Sequence, residues 1–396
     1  MNVPVIKDYM AQASENIIEF LQDMVREKSY SGEEGKMAEL VQQKMKTLEY
    51  DEVKQANNGS VIGRIGSGEK VLLYDAHMDT VPAGNRENWS VDPFAGKIED
   101  GILYGRGASD DKGALASMIY AGSAIKNLDL AENLTIYIVA PVMEEVCEGI
   151  ALGELLEEEN IKPDYTVIGE PSCGQLMKGH RGRALLQAVF SGKEEHASSY
   201  SKENHALYKA LSFIEATFDL DENLEDDGIM GKGNICVTDV KCDSNSLNST
   251  PEAAKVIMDR RTNSKEDREK IISELEEVFE GDSVEIKIME REFTSYTGEK
   301  IIAEEYFPGW ILEDGNTLLE RGISSYQDYY EKEPEPKVWG FCTDGNMTKG
   351  HLDIPTIGCG PGNPEHCHTT HDQVDLQEVV EVAGYYTCLA ENISLS

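Results

Sequence analysis

An apolar segment that ends in a histidine and an aspartate constrains this chain more than any other feature. Residues 71–76 (VLLYDA) are typical of a buried strand, and His77 and Asp79 follow it directly. Because residues two apart on a strand point to the same face, His77 and Asp79 can share one pocket. A neutral imidazole is a common metal ligand, and a carboxylate near its other ring nitrogen fixes its orientation. Such a pair also occurs as an ordinary structural hydrogen bond, so the rest of the chain decides between these interpretations.

Further apolar segments also end in acidic or histidine side chains. Residues 134–142 and 165–169 are predicted strands that are followed by glutamates and alternate with predicted helices, and 354–358 is a further predicted strand. This order favours an α/β domain with a mostly parallel mixed sheet. Ligands in such sheets gather at the carboxyl ends of the strands. The side chains expected there are His77, Asp79, Asp110, Glu144, Glu145, Glu170 and His368. Burying so many ionisable groups without a cation is costly, and this mixture of ligands suits zinc or a similar divalent ion.

The pattern changes within residues 182–292. There the predicted order is strand, helix, strand, strand, helix, strand, which is typical of a compact ferredoxin-like α+β unit. We therefore predict a domain inserted at 182–292 into a first domain made of 1–181 and 293–396. Outside the insertion we also predict an amphipathic helix at 5–27, helices within 300–320 and a terminal helix at 375–393.

Charge and composition exclude several classes of partner. Lysine and arginine number 36 against 74 acidic residues, a formal net charge of −38, which argues against nucleic acid and anionic membranes as partners. The chain has 8 cysteines without a CxxC pair, no signal peptide and no long apolar span, so we expect a cytoplasmic protein with reduced thiols. The glycine-rich segment 105–113 has neither the GxGxxG nor the Walker spacing, and its two aspartates would repel a phosphate. We therefore do not expect a nicotinamide cofactor.

Five ordered motifs resemble one family. The segments DAHMDTVP, GRGASDDKGA, PVMEE, GEP and CHTTHD are similar to those of the dinuclear zinc peptidase and deacylase family. That family includes acetylornithine deacetylase, succinyl-diaminopimelate desuccinylase, aminoacylase and carboxypeptidase G. The resemblance covers nearly the whole chain and implies a zinc-exopeptidase-like catalytic domain. The GHRG segment and the terminal helix also resemble a subgroup labelled selenium-metabolism-linked hydrolases.

The resemblance implies two divalent cations per chain, with zinc expected and cobalt or manganese as alternatives. The ligands that it implies are His77, Asp110 and Glu170 for one cation and Asp110, Glu145 and His368 for the other, with Asp110 bridging. Glu144 would be the general base that activates water, and Asp79 would orient His77. The peptide bond between Asp110 and Asp111 would be cis.

The inserted domain resembles the lid and dimerisation domain of the family. His196, in the segment GKEEHAS, would stabilise the oxyanion, usually across a homodimer. Arg261 and Asn248 match positions that hold a substrate carboxylate, although Arg261 is also compatible with an ion pair at the strand edge. The segment after His196 lacks the proline and glycine of the family, and His371 follows His368 as an alternative ligand.

The sequence thus predicts a dinuclear metallohydrolase that cleaves an amide bond of a small substrate. The substrate is either an N-acyl amino acid or a short peptide, and the motifs leave the choice between deacylase and dipeptidase open. A non-catalytic relative that uses the fold for binding or assembly is the alternative, and Glu144 argues against it because a binding protein needs no general base.

Overall fold

A nine-stranded mixed sheet is the largest element of the computed structural model, which describes residues 2–279 and 284–395. The helices are α1 (Val3–Arg26), α2 (Gly35–Thr47), α3 (Gly113–Asn127), α4 (Glu144–Cys147), α5 (Ile150–Glu158), α6 (Ala206–Asn223), α7 (Arg268–Glu277), α8 (Thr317–Tyr330) and α9 (Leu376–Ser394). The strands are β1 (Glu52–Gln55), β2 (Val61–Gly66), β3 (Lys70–Asp75), β4 (Lys97–Glu99), β5 (Ile102–Tyr104), β6 (Leu134–Ala140), β7 (Tyr165–Ile168), β8 (Met177–His180), β9 (Gly182–Ser191), β10 (Asn234–Asp243), β11 (Ala253–Thr262), β12 (Val284–Ile288), β13 (Glu290–Thr294), β14 (Lys300–Glu304), β15 (Tyr306–Phe307), β16 (Trp310–Ile311), β17 (Lys337–Trp339), β18 (Thr356–Gly358) and β19 (Gln373–Asp375).

The large sheet has the parallel centre that the alternation of strands and helices predicts. Its order is β1-β2-β6-β3-β7-β18-β8-β16, with β17 beside β8. Strand β3 runs parallel to both β6 and β7, and β18 runs parallel to β7. The carboxyl ends of these four strands therefore lie at one edge of the sheet. The prediction of an α/β fold with a mixed sheet containing parallel strands is confirmed.

Helices α1, α3 and α9 bury the main core against this sheet. Helix α3 has no polar face, and all of its residues from Gly113 to Ile125 are buried. The amphipathic pattern predicted at 5–27 corresponds to α1, whose buried face includes Ile17, Phe20, Leu21 and Met24. This arrangement places the N-terminal end of α3 beside the sheet edge where the ionisable residues gather.

A second, antiparallel sheet forms within the predicted insertion. Its order is β10-β11-β9-β12, and the chain order is β9-α6-β10-β11-α7-β12, as in a ferredoxin-like unit. Alternate residues of β9 are buried in a separate apolar cluster that contains Ala184, Leu186 and Phe190. A division at 182–292 remains a prediction, and a separate core is what such a division requires.

The predicted helices at 300–320 are wrong over most of their length. Strands β14, β15 and β16 occupy residues 300–311, and α8 begins only at Thr317. The burial of Ile301 and Ala303 alternates with exposure, which is the period of a strand, and β14 pairs with β13. The side chain of Asn316 accepts a hydrogen bond from the Leu318 N–H at 2.9 Å and caps the start of α8.

In the part of the chain that the structure describes, no helix has the length and apolar character needed to cross a bilayer.

Candidate metal centre

The predicted ligands converge at the carboxyl edge of the parallel strands. His77 follows β3, Glu144 and Glu145 follow β6, and Glu170 follows β7. Asp110 reaches the same edge from the segment before α3. Five separate segments, the fifth of which carries His368, thus bring their ionisable side chains into one site.

Asp110 lies between the two histidines. Its Oδ1 atom is 3.0 Å from His77 Nε2, and its Oδ2 atom is 3.1 Å from His368 Nε2. A carboxylate with one oxygen directed to each of two imidazoles has the arrangement needed to bridge two cations. The peptide bond between Asp110 and Asp111 is cis, as the resemblance implies.

The remaining acidic groups complete two clusters of possible ligand atoms. His77, Glu144 and Glu170 form one cluster, and His77, Asp110 and Glu145 form another. His77 Nε2 is 3.8 Å from Glu170 Oε1 and 4.0 Å from Glu144 Oε2. His368 Nε2 is 2.9 Å from Glu145 Oε2. Each predicted cation therefore has imidazole nitrogen and carboxylate oxygen donors nearby, which is the donor set that zinc accepts.

Burial makes this collection of charges unfavourable without a cation. Burial is the main cause that raises the pKa of Glu144 well above its ordinary value, and the nearby Glu170 raises it further. Burial likewise raises the pKa of Glu170. Burial also opposes ionisation of Asp110, but hydrogen bonds to His368 and His77 hold its pKa below the usual range. The ionised carboxylates would repel one another at this edge, and divalent cations would neutralise them. The residues present therefore fit a site for two divalent cations.

Asp79 contacts His77 and also fixes the turn that carries Glu144 and Glu145. The His77 Nδ1 atom is 3.0 Å from the Asp79 main-chain oxygen and 3.5 Å from its carboxylate. The carboxylate itself accepts hydrogen bonds from the N–H groups of Glu144 at 3.0 Å and Glu145 at 3.2 Å, and from Ser31 Oγ at 2.6 Å. Asp79 therefore makes two kinds of contact. Its contact with His77 is the one that the sequence predicts, whereas sequence reasoning missed its hydrogen bonds to the turn that carries Glu144 and Glu145.

Asp372 plays a comparable part on the other side of the site. This buried carboxylate pairs with Arg106 Nη1 at 2.9 Å and accepts hydrogen bonds from the N–H groups of Gly107 at 2.7 Å and Ser109 at 3.0 Å. It therefore connects the segment that precedes Asp110 with the end of the CHTTHD segment. Sequence reasoning assigned no role to Asp372.

Of the histidines in the CHTTHD region, His368 contributes its ring to the cluster. His371 is exposed, and its main-chain N–H bonds to Thr369 Oγ1 at 3.1 Å. The His366 ring lies 3.4 Å from the side-chain amide of Gln373. This placement favours His368 over His371 as a ligand.

A turn glycine permits close packing beside Glu170. A Cβ atom on Gly360 would collide with the main-chain oxygens of Gly169 and Glu170. Glycine at this position therefore allows the segment after β18 to approach the end of β7 closely.

A cavity of about 360 Å³ opens beside the ligands. Its lining consists of Asp110, Glu144, Glu145, Glu148, Glu170, Arg183, Arg261, Phe341, Cys342, Pro364, Cys367 and His368. Arg261 thus lies in the lining of the cavity, and it also pairs with Asp259, Nε to Oδ1, at 2.7 Å. Sequence reasoning missed Glu148 and Arg183, whose side chains pair at 3.3 Å. The GHRG segment, which ends one residue before Arg183, was the available signal.

His196 and Asn248 do not reach this cavity within one chain. Both are exposed, and the main-chain oxygen of Asn248 accepts a hydrogen bond from the Ala197 N–H at 2.8 Å. The His196 ring lies 2.8 Å from Ser198 Oγ. Their predicted roles therefore require that another copy of the chain supplies them.

The fold and the clustered donors define a metal-dependent hydrolase with a two-cation site. The chain belongs to the peptidase family M20/M25/M40, whose sequence model matches residues 73–392. This membership, together with Glu144 inside the site, argues against a non-catalytic relative.

Individual relatives agree with the family assignment. The chain is 31% identical over 386 residues to the Escherichia coli protein YgeY, a match covering 97% of this chain and 94% of YgeY. It is 27% identical over 385 residues to succinyl-diaminopimelate desuccinylase of Nautilia profundicola, covering 94% and 98% of the two chains. The YXEP protein of Bacillus subtilis, described as a dinuclear metal-binding peptidase, has a similar fold with a TM-score of 0.72, 15% identity and coverage of 97% and 99%.

Proposed function

We propose that this protein hydrolyses an amide bond in a small N-acyl amino acid or short peptide, with Glu144 as the general base. The position of Asp110 between His77 and His368, with Glu144 in the same cavity, is the observation that carries this proposal. A bridging carboxylate beside a separate, buried carboxylate is the arrangement that a two-metal hydrolase requires.

We propose zinc as the native cation, with two ions per chain and cobalt or manganese as substitutes. One ion would be held by His77, Asp110 and Glu170, and the other by Asp110, Glu145 and His368. Imidazole nitrogen and carboxylate oxygen are both good ligands for zinc. When bound, such cations polarise a carbonyl group and lower the pKa of water.

The side chains supply orientation and proton transfer. Glu144 is buried, and its main-chain N–H is fixed by Asp79, so its carboxylate is held in the cavity. Glu144 lines the cavity with its Oε2 atom 4.0 Å from His77 Nε2, so it would accept a proton from water there and return it to the departing amine. His77 is oriented through its Nδ1 atom by Asp79, which leaves Nε2 directed into the site.

The cavity supports a small substrate that carries a carboxylate. Its volume of about 360 Å³ lies near the lower limit for small-molecule sites. Arg261 lines it and would hold the carboxylate. The desuccinylase relative supports a deacylase, and the family assignment supports a peptidase equally well.

We further propose a cytoplasmic homodimer that associates through the inserted domain. His196 and Asn248 would then reach the site of the other copy. On this domain β10 is an edge strand, and α6 exposes Leu211 and Phe218, with 47% and 62% of their surfaces accessible. An unpaired strand edge beside exposed apolar side chains favours pairing with a second copy. A protein of twice the chain mass in solution is the expected result.

The direct test is amine release from matched substrate panels. Zinc- or cobalt-loaded protein would be incubated with N-acetyl, N-succinyl and N-carbamoyl amino acids and with dipeptides, using His368→Ala as the blank. Cleavage confined to the acyl panels would identify a deacylase, and cleavage confined to the dipeptides would identify a dipeptidase. Absence of cleavage in every panel, with both cations bound, would refute the proposed substrate class.

A further inference from the structure

Two arginines lie directly opposite each other at the edge of the cavity. Arg183 on β9 pairs in register with Arg261 on β11, and both line the cavity. Both alternate with buried residues of the sheet, so their side chains share the face away from the apolar cluster. Like charges directly opposite on neighbouring strands destabilise a sheet unless an anion lies between them.

One carboxylate of the protein holds this pair. Asp259, on the same face as Arg261, accepts a hydrogen bond from Arg183 Nε at 3.0 Å and from Arg261 Nε at 2.7 Å. Each guanidinium is therefore fixed mainly through its Nε atom, and Arg261 Nη2 adds a longer contact with Asp259 Oδ2 at 3.5 Å.

The other acidic partners of Arg183 are held more loosely. Its Nη1 atom is 3.3 Å from Glu148 Oε1 and 3.9 Å from Glu305 Oε2, whereas strong pairs of this kind lie at about 2.7–2.9 Å. Glu305 is nearer to Arg291, at 3.2 Å. Among residues 2–279 and 284–395, no hydrogen bond to Arg183 Nη2 is present. The guanidinium of Arg183 therefore keeps donor capacity on the side of the cavity.

We propose that Arg183 is a specificity-determining residue that binds a substrate carboxylate jointly with Arg261. The planar fork of a guanidinium matches a carboxylate, and two forks held by one aspartate form a preorganised receptor. The selected substrates carry a carboxylate beside the scissile amide. This inference rests on the proposed function, because it concerns the same cavity.

The test compares a carboxylate substrate with its uncharged counterpart. The best-cleaved N-acyl amino acid or dipeptide and its carboxamide would be assayed with Arg183→Gln. We expect kcat/KM for the carboxylate to fall about 10- to 100-fold, the loss expected for charged hydrogen bonds, mainly through KM. The carboxamide should change less than about threefold, since it lacks the charge. Arg291→Gln is the matched control, because it also loses a pair with Glu305 but lies outside the cavity lining, and both substrates should be unaffected.

Equal losses on both substrates would show that Arg183 is only structural, and no loss would remove it from recognition. If Arg183→Gln fails to fold, Arg183→Lys takes its place; it keeps the charge and loses the fork, so a smaller loss confined to the carboxylate substrate is expected. Wild-type silence on all panels would refute the proposed function. Calorimetry would then measure the binding of an N-acetyl amino acid and of its amide to the zinc-loaded wild type and to the variant. The proposed role of Arg183 is refuted if the variant prefers the acid over the amide as strongly as the wild type does.

Discussion

Replacing Asp79 by asparagine should weaken the protein and its turnover together, because this side chain holds the turn that carries Glu144. The carboxylate accepts three hydrogen bonds, from the N–H groups of Glu144 and Glu145 and from Ser31. In asparagine one oxygen becomes an amide nitrogen, which cannot accept. At least one of the two main-chain N–H groups then loses its partner beside the fully buried Asp79 side chain.

The expected magnitude follows from the number of bonds lost. A hydrogen bond to a charged group contributes about 1.5–3 kcal/mol, and leaving a buried donor unpaired adds to the cost. We therefore expect the free energy of unfolding to fall by about 2–4 kcal/mol and kcat to fall by at least about tenfold, as found when partners of metal-site residues are removed. Urea unfolding of the zinc-loaded protein and steady-state kinetics at saturating zinc measure the two quantities.

Ser31→Ala is the matched control for this substitution. It removes one donor to Asp79 and leaves both main-chain N–H groups paired, so it should cost about 1 kcal/mol of stability. Its kcat should stay within about threefold of wild type. An Asp79→Asn protein whose unfolding free energy lies within about 0.5 kcal/mol of wild type, with unchanged kcat, would refute the argument.

Four further substitutions test the site. Glu144→Gln should retain both cations by elemental analysis yet lose about 100- to 10,000-fold in kcat, and retained turnover would remove Glu144 from proton transfer. His368→Ala should lose bound metal in the same analysis while His371→Ala keeps it, and the opposite result would exchange their roles. Gly360→Ala should lower the free energy of unfolding by about 1–3 kcal/mol, because its methyl group collides with the main-chain oxygens of Gly169 and Glu170, and an unchanged urea midpoint would contradict this packing.

The parallel strands and the convergence of their ends could be predicted from sequence because both depend on local patterns. Residues 71–76 and 134–142 are apolar runs bounded by polar residues, and the edge rule for parallel sheets then brings His77 and Glu144 together. In the structure His77 Nε2 lies 4.0 Å from Glu144 Oε2.

The partners of Asp79 and Arg183 could not be predicted in the same way. The hydrogen bonds that Asp79 accepts from the turn carrying Glu144 and Glu145 join segments 65 residues apart. They form only because β3 and β6 position the loops that follow them. The register that places Arg183 opposite Arg261 depends on the pairing of β9 with β11, which a local pattern does not specify. The error at 300–320 has a different cause. A short apolar run is compatible with both the helical and the strand period until the strand that pairs with it is known.

The position of Asp110 between two imidazoles has a consequence for how the protein acquires its cations. Each oxygen of this carboxylate faces one histidine, so the two proposed sites would have a ligand in common and would not be thermodynamically independent. Occupancy of one site changes the affinity of the other, and the factor is the same in both directions. Titration with zinc should therefore give an isotherm that identical, independent sites do not fit. At limiting metal, favourable coupling would give empty and doubly loaded molecules, and unfavourable coupling would give singly loaded molecules.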